Sequence, residues 1–263
     1  RGMVTTCCVD CVGRGVGRLA ARPNPPLHLT AAVSSVPRVQ APRAAAAGEL
    51  DVRRRGVSAM PAETKIGTTV LRLVTGDIAD QDTDAVVTAA HWRLNKGTGT
   101  DGTIHTKGGP RIYEECRRIG GCPIGGAVIT TGGDLRARHV IHAVGPVWRG
   151  GGEEEPKLLA SAYRRSLQVA AAHGLRSISF PSISTGAFAY PIRLAASVAL
   201  GAVVEFLDRE WHDLAEVRMV LYTREDAKAY TVFAEALERL VAARVTGGAA
   251  EPGAAADRGL NSV

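Results

Sequence analysis

Short apolar and β-branched runs alternate with longer amphipathic stretches from about residue 70 to residue 241, and no other feature limits the fold as tightly. Val70–Val74, Ala85–Val87, Ala127–Thr130, His139–His142, Ser177–Phe180 and Val217–Tyr222 have the length and residue types of strands. Gly102–Ile119, Lys157–Ala172, Pro191–Leu207 and Asp226–Val241 have those of helices. Such alternation builds an α/β domain in which helices cover both faces of a largely parallel sheet. Ligands of such sheets gather at the carboxyl ends of the strands.

The domain is expected over residues 60–245. Residues 1–59 mix Ala, Arg, Pro and Gly without helical or strand period and are expected to be disordered, as is the Gly/Ala-rich tail 246–263. The Arg-rich first segment also has the composition of an organelle-targeting peptide, but the expected reading is an extension upstream of Met60. Charge divides the same way. The formal net charge is +6, and residues 1–59 carry all of it, with nine Arg against three acids. The rest is neutral, so no electrostatic footprint for nucleic acid is expected on the domain. No apolar run approaches the roughly 20 residues that span a bilayer, so no membrane insertion is expected. Cys8 and Cys11 form an isolated pair without a second metal-ligating pair, and Cys116 and Cys122 read as reduced thiols of a cytoplasmic protein.

The loops after the strands carry the chemistry. Phe180–Pro191 leaves a strand, turns through Ser184, Thr185 and Gly186, and leads into a helix. Free backbone N–H groups and a helix dipole converge there, which suits a phosphate. Phe188 and Tyr190 offer flat faces to a sugar or base. Lys96–Gly102 is a second Gly-rich loop before a helix, with Asp101 at the helix start, where Asp readily caps. His105, one turn on, can share a face with Asp101. Asp77 follows a strand and a Gly, as either a turn cap or an acceptor for an exocyclic amine, with Ile78 beside it. His139 and His142 have no second His or Cys at metal-ligand spacing, so no metal and no cofactor are expected.

Six motifs in order then define a resemblance: Gly76-Asp-Ile78, Thr88-Ala-Ala-His91, Gly99–His105, Gly121–Gly125, Val140–Pro146 and Ile183–Pro191. The stretch from about Leu71 to Leu240 resembles a macro domain of the MacroD type, a family that binds ADP-ribose and often removes it from proteins. The resemblance implies a three-layer α/β/α sandwich with a mixed, largely parallel sheet. It implies adenine at Asp77 and Ile78 with Tyr222 packed on it. The diphosphate would lie between Gly97 and Gly99 on one side and Ser184, Thr185, Gly186, Ala187 and Phe188 on the other. The distal ribose would lie near His91 and Asp101, the expected catalytic pair, with Asp101 positioning water. The partner implied is ADP-ribose or an ADP-ribosylated protein, bound by a monomer. Two departures stand out. Relatives usually carry Asn-Ala-Ala-Asn where this chain has Thr88 and His91, and Lys96 and Thr98 interrupt the usual glycine run. The resemblance therefore leaves two readings: a hydrolase, or a reader of ADP-ribose without turnover.

Overall fold

The computed structural model describes residues 63–152, 154–221 and 227–247. Residues 1–59, most of the tail and Tyr222 lie outside the described residues. The chain runs β1 (Glu63–Ile66), β2 (Thr69–Thr75), β3 (Ala85–Ala89), α1 (Gly99–Gly108), α2 (Pro110–Ile119), β4 (Ala127–Thr131), β5 (His139–Ala143), α3 (Glu155–Ala172), β6 (Ser177–Phe180), α4 (Ile192–Arg209), β7 (Glu216–Leu221) and α5 (Ala227–Gly247). The strands form a mixed sheet in the order β1-β2-β7-β6-β3-β5-β4. The inner pairings β2–β7, β7–β6, β6–β3 and β3–β5 are parallel, and the edge pairings β1–β2 and β4–β5 are antiparallel.

Two cores lie on the two faces of this sheet. Val87 and Ile141 belong to one, packed with Leu159, Tyr163, Leu200, Val203 and Phe233 of α3, α4 and α5. Their neighbours Val86 and Val140 belong to the other, with Ile104, Ile112 and Cys116 of α1 and α2. Adjacent residues of one strand feed opposite cores because side chains alternate across a strand. Burial on both faces is why these strands read as unbroken apolar runs. Among the described residues, no helix is long and apolar enough to cross a membrane.

One expected element divides. Gly102–Ile119 is two helices rather than one, because Gly109 takes φ +77° and Pro110 begins α2. Proline suits the first helical position, where its missing N–H goes unused, and the left-handed Gly109 turns the chain. The edge strand β1 is an addition: its short, polar sequence Glu-Thr-Lys-Ile lacks the expected strand composition.

Candidate functional site

The loops after β2, β3, β5 and β6 meet the end of β7 at the carboxyl ends of the parallel strands and enclose a cleft in two adjoining halves. One half, about 410 Å³, is lined by His91, Lys96–Asp101, Gly145, Ser182, Ser184 and Gly186–Phe188. The other, about 480 Å³, is lined by Gly76–Ile78, Thr103, Pro181, Thr185, Val220 and Leu221. Gly99, Thr100, Ser182 and Gly186 line both and form the waist between them.

The β6–α4 loop is held in an unusual backbone shape. Ser184 (φ +67°) and Ala189 (φ +53°) are both left-handed without being glycine, a conformation that costs energy and concentrates at functional sites. Tyr190 N–H donates to the Ser184 carbonyl at 3.0 Å, and Ala189 N–H donates to that of Gly186 at 2.8 Å. Tyr163 fixes the start of the loop: its buried hydroxyl donates to the Pro181 carbonyl (3.1 Å) and accepts from Ile183 N–H (3.0 Å). In contrast, the backbone N–H groups of Ser184 through Phe188 donate to no acceptor among the described residues. The buried hydroxyls of Ser182 and Ser184 also have no partner. A run of unspent donors on a strained loop is an anion cradle. Tyr190 offers no face to a ligand, contrary to expectation; it is buried against Trp148, ring centroids 4.6 Å apart.

The facing wall is braced by Asp101. It is not the N-cap of α1, as its position suggested; Thr98 is the N-cap and makes no side-chain capping bond. Asp101 instead accepts from Gly97 N–H (2.6 Å) and from the Thr88 hydroxyl (3.0 Å). One buried carboxylate thus ties the Gly-rich loop to β3. The uncapped first turn of α1 points its N–H groups at the waist of the cleft, opposite Ser184–Phe188, where helix geometry favours an anion. Thr88 is fully buried and lines nothing. His91 is exposed on the cleft, and its Nδ1 accepts from Arg93 N–H at 3.2 Å. That bond places the ring proton on Nε2, leaving an N–H donor for a ligand.

At the other end, Asp77 caps a short 3-10 helix at Ile78–Asp80 by accepting from Ala79 N–H at 2.9 Å. Its second oxygen takes Lys107 Nζ at 3.1 Å. Capping still leaves Asp77 lining the cleft beside Ile78.

Behind Asp101 lies a buried group that sequence spacing did not reveal. His105, Cys116 and His142 bring their ligand-capable atoms within 4.8 Å of one another, which corrects the expectation that His142 has no nearby His or Cys. Thr130 Oγ1 donates to the Thr131 carbonyl (3.1 Å), so His142 Nε2–H donates to Thr130 (2.9 Å), and Cys116 Sγ lies 3.6 Å from Nε2 and 3.8 Å from Nδ1. Burial pushes the Cys116 thiol up to about 12 and the His142 imidazole down to about 3. Burial keeps Cys116 and His142 neutral within the core, while His105 Nδ1 has no partner among the described residues. His105 Nε2 lies 3.7 Å from Asp101 Oδ1; burial lowers the pKa of His105 against the opposing pull of that carboxylate.

The fold therefore brings Asp77, Ile78, His91, Gly97, Gly99, Asp101, Ser184, Thr185, Gly186, Ala187 and Phe188 to one cleft. Sequence reading did not single out Ser182 or Gly145, which also line it, or Tyr163, which sets the loop from behind. Tyr163 looked like one more apolar position of a helical stripe; its hydroxyl was the available signal, since a buried Tyr needs a partner.

Comparison with known proteins agrees with this geometry. A family model described as Macro domain matches residues 87–199. A macro domain-containing protein of Caldanaerobacter subterraneus subsp. tengcongensis is 48% identical over 174 residues, spanning 65% of this chain and 97% of that protein. An O-acetyl-ADP-ribose deacetylase of Citrobacter koseri is 48% identical over 160 residues, spanning 59% of this chain and 89% of the relative. Among solved structures, the Oceanobacillus iheyensis macrodomain with ADP superposes with a TM-score of 0.64 at 36% identity, covering 68% of this chain and 96% of that one. The Trypanosoma brucei macrodomain in complex with ADP-ribose gives 0.58 at 35% identity, covering 64% and 66%.

Proposed function

Because the chain belongs to the macro domain family, we propose that its cleft binds ADP-ribose and hydrolyses an ester at the distal ribose. The substrate is a carboxylate-linked ADP-ribosyl protein or O-acetyl-ADP-ribose. One observation carries the proposal: Ser184–Phe188, whose five backbone N–H groups have no acceptor among the described residues, line the cleft together with the uncapped start of α1, which matches a diphosphate between two flanking sugars. Adenine would then sit at Asp77 and Ile78. The diphosphate lies between Gly97–Gly99 and Ser184–Phe188. The distal ribose meets the His91 Nε2–H and the Phe188 ring.

In the reaction, water adds to the acyl carbon, the ester C–O bond breaks, and the ribose oxygen leaves with a proton. Asp101, at the distal half, holds the water in line, and positioning with the fixed N–H dipoles supplies the rate. The similarity to an O-acetyl-ADP-ribose deacetylase supports hydrolysis. A second reading, a reader without turnover, is favoured by His91 standing where relatives of this type usually carry Asn. We also propose a cytoplasmic monomer, with Cys116 and Cys122 as buried thiols. Calorimetry with ADP-ribose tests the binding, and no heat at high micromolar ligand would sink it. Release of ADP-ribose from a Glu-modified protein separates the readings: turnover supports the hydrolase. Turnover that appears only in His91→Asn supports the reader.

A further inference from the structure

We propose that the groove between Trp92 and Ile124 receives the polypeptide to which the ADP-ribose is attached, and that it selects an acidic segment. The inference rests on the ADP-ribose reading above. His91 lines the distal half of the cleft, and the Trp92 ring lies 5.5 Å from the His91 ring. A chain leaving the distal ribose at His91 therefore meets Trp92 next. Beyond Trp92 runs an open groove of about 470 Å³ floored by Gly121, Cys122 and Pro123 and walled by Ile124.

Backbone bonds hold this groove in shape. Cys122 N–H donates to the Trp92 carbonyl at 2.8 Å, and Gly125 N–H donates to the Val144 carbonyl at 2.7 Å. Trp92 and Ile124 are each 48% exposed, and two large apolar side chains facing one groove are what a docking surface presents.

Charge selects the occupant. The Arg93 guanidinium lies 4.6 Å from the centre of the Trp92 ring. Arg117 and Arg118, both exposed, end α2 just before the groove begins at Gly121. Among the described residues, none of these three arginines has a carboxylate partner. The fully exposed face of α2 offers only Glu114 against them. Arg117 and Arg118 also offset the negative end of α2, but Arg93 lies on no helix and has no such role. Arg93 against the groove's Trp92, with Arg117 and Arg118 exposed in the helix turn that leads into it, fits a segment rich in Asp and Glu, the residues that carry ester-linked ADP-ribose.

The test compares free ADP-ribose with two synthetic peptides that carry ADP-ribose through a hydrolysis-resistant linkage, one with Asp/Glu flanks and one with Ser/Gly flanks. Calorimetry on the full chain should give a Kd at least about tenfold lower for the acidic peptide than for free ADP-ribose, with the Ser/Gly peptide near the free ligand. The double variant Arg93→Glu with Arg117→Glu should erase that advantage while leaving the Kd for free ADP-ribose unchanged within about twofold. The advantage should also shrink in high salt. Equal Kd values for all three ligands overturn the inference and leave the ADP-ribose reading standing. So does an advantage that survives the double variant. Failure of wild-type protein to bind free ADP-ribose overturns both.

Discussion

Replacing Asp101 by Ala tests whether this residue is a brace as well as a chemical group. In the structure the carboxylate is 4% exposed and accepts two hydrogen bonds, from the Thr88 hydroxyl and Gly97 N–H. Truncation strands the Thr88 hydroxyl in a site with no exposure at all, at about 1–3 kcal/mol for an unsatisfied buried donor. Gly97 is exposed and can turn to water, so its loss adds less. The sum is about 2–4 kcal/mol, which lowers Tm by roughly 4–16 °C in a domain of this size. Freed of its tie, the Gly97–Gly99 loop no longer holds its half of the clamp, so affinity for ADP-ribose falls together with turnover. Thr88→Val is the control: it removes the donor but leaves Asp101 on Gly97, so Tm drops less and affinity is kept. Differential scanning fluorimetry and calorimetry read both quantities. If Asp101→Ala abolishes turnover while Tm stays within about 2 °C and affinity is unchanged, the brace does not exist. Loss of activity in this variant alone would then report chemistry only.

Tyr163→Phe removes the hydroxyl that joins Pro181 and Ile183; it should cost about 2–3 kcal/mol by chemical denaturation and weaken ADP-ribose binding without any contact to the ligand. Gly145→Ala places a Cβ 2.6 Å from Ile183 Cγ2 and closer still to Ser184 Oγ. Overpacking of about 1–3 kcal/mol then pushes the strained loop, and affinity should fall roughly tenfold, read by calorimetry. Acid should destabilise the fold through His142. Its folded pKa of about 3 lies below the ordinary 6.5, so the unfolded chain binds the extra proton between those values. Unfolding free energy should fall by about 1.4 kcal/mol per pH unit below 6.5, through this residue, with a further loss in the same direction from His105. A flat stability profile from pH 7 to 5 refutes the assignment. His91→Asn should leave Tm unchanged, because an Asn oxygen can also accept from the N–H two residues on; a large drop would mean the imidazole does more than form that turn.

The inner sheet was legible because parallel strands buried on both faces are short runs rich in apolar and β-branched residues, as Ala85–Val87 and Val217–Leu221 are. The short edge strand β1 is polar and gains its strand character only by pairing with β2, so nothing local marked it. The break at Gly109–Pro110 was written in the sequence, since a Gly followed by a Pro at a first helical position rarely lies inside one helix. Helical spacing on either side hid it. The buried trio of His105, Cys116 and His142 comes from α1, α2 and β5, and only the packing of these elements brings the three side chains together.

Thr88 and His91 show why residue type alone misjudged the wall they share. Both looked like lost amides of one ligand-binding motif. Strand alternation separates them: Val86 and Ala90 on β3 and its continuation face α1 and α2, so Thr88 must face them too, and a ligand never reaches it. Its hydroxyl suits that place, because a short donor reaches Asp101 without burying an unpaired amide N–H. His91 lies three residues later, past the strand end, where the chain turns through the left-handed Leu94 (φ +55°). There its Nδ1 does what a side-chain amide oxygen would do for the turn, and Nε2–H remains for the ligand. What this chain has given up relative to an amide is one acceptor facing the cleft, since neutral imidazole offers only one of each. A ribose diol can still accept a hydrogen bond from Nε2–H, but it can donate none to this ring. In the proposed binding mode the loss therefore falls on orientation of the distal ribose, the part of the ligand whose placement turnover needs most and diphosphate affinity needs least.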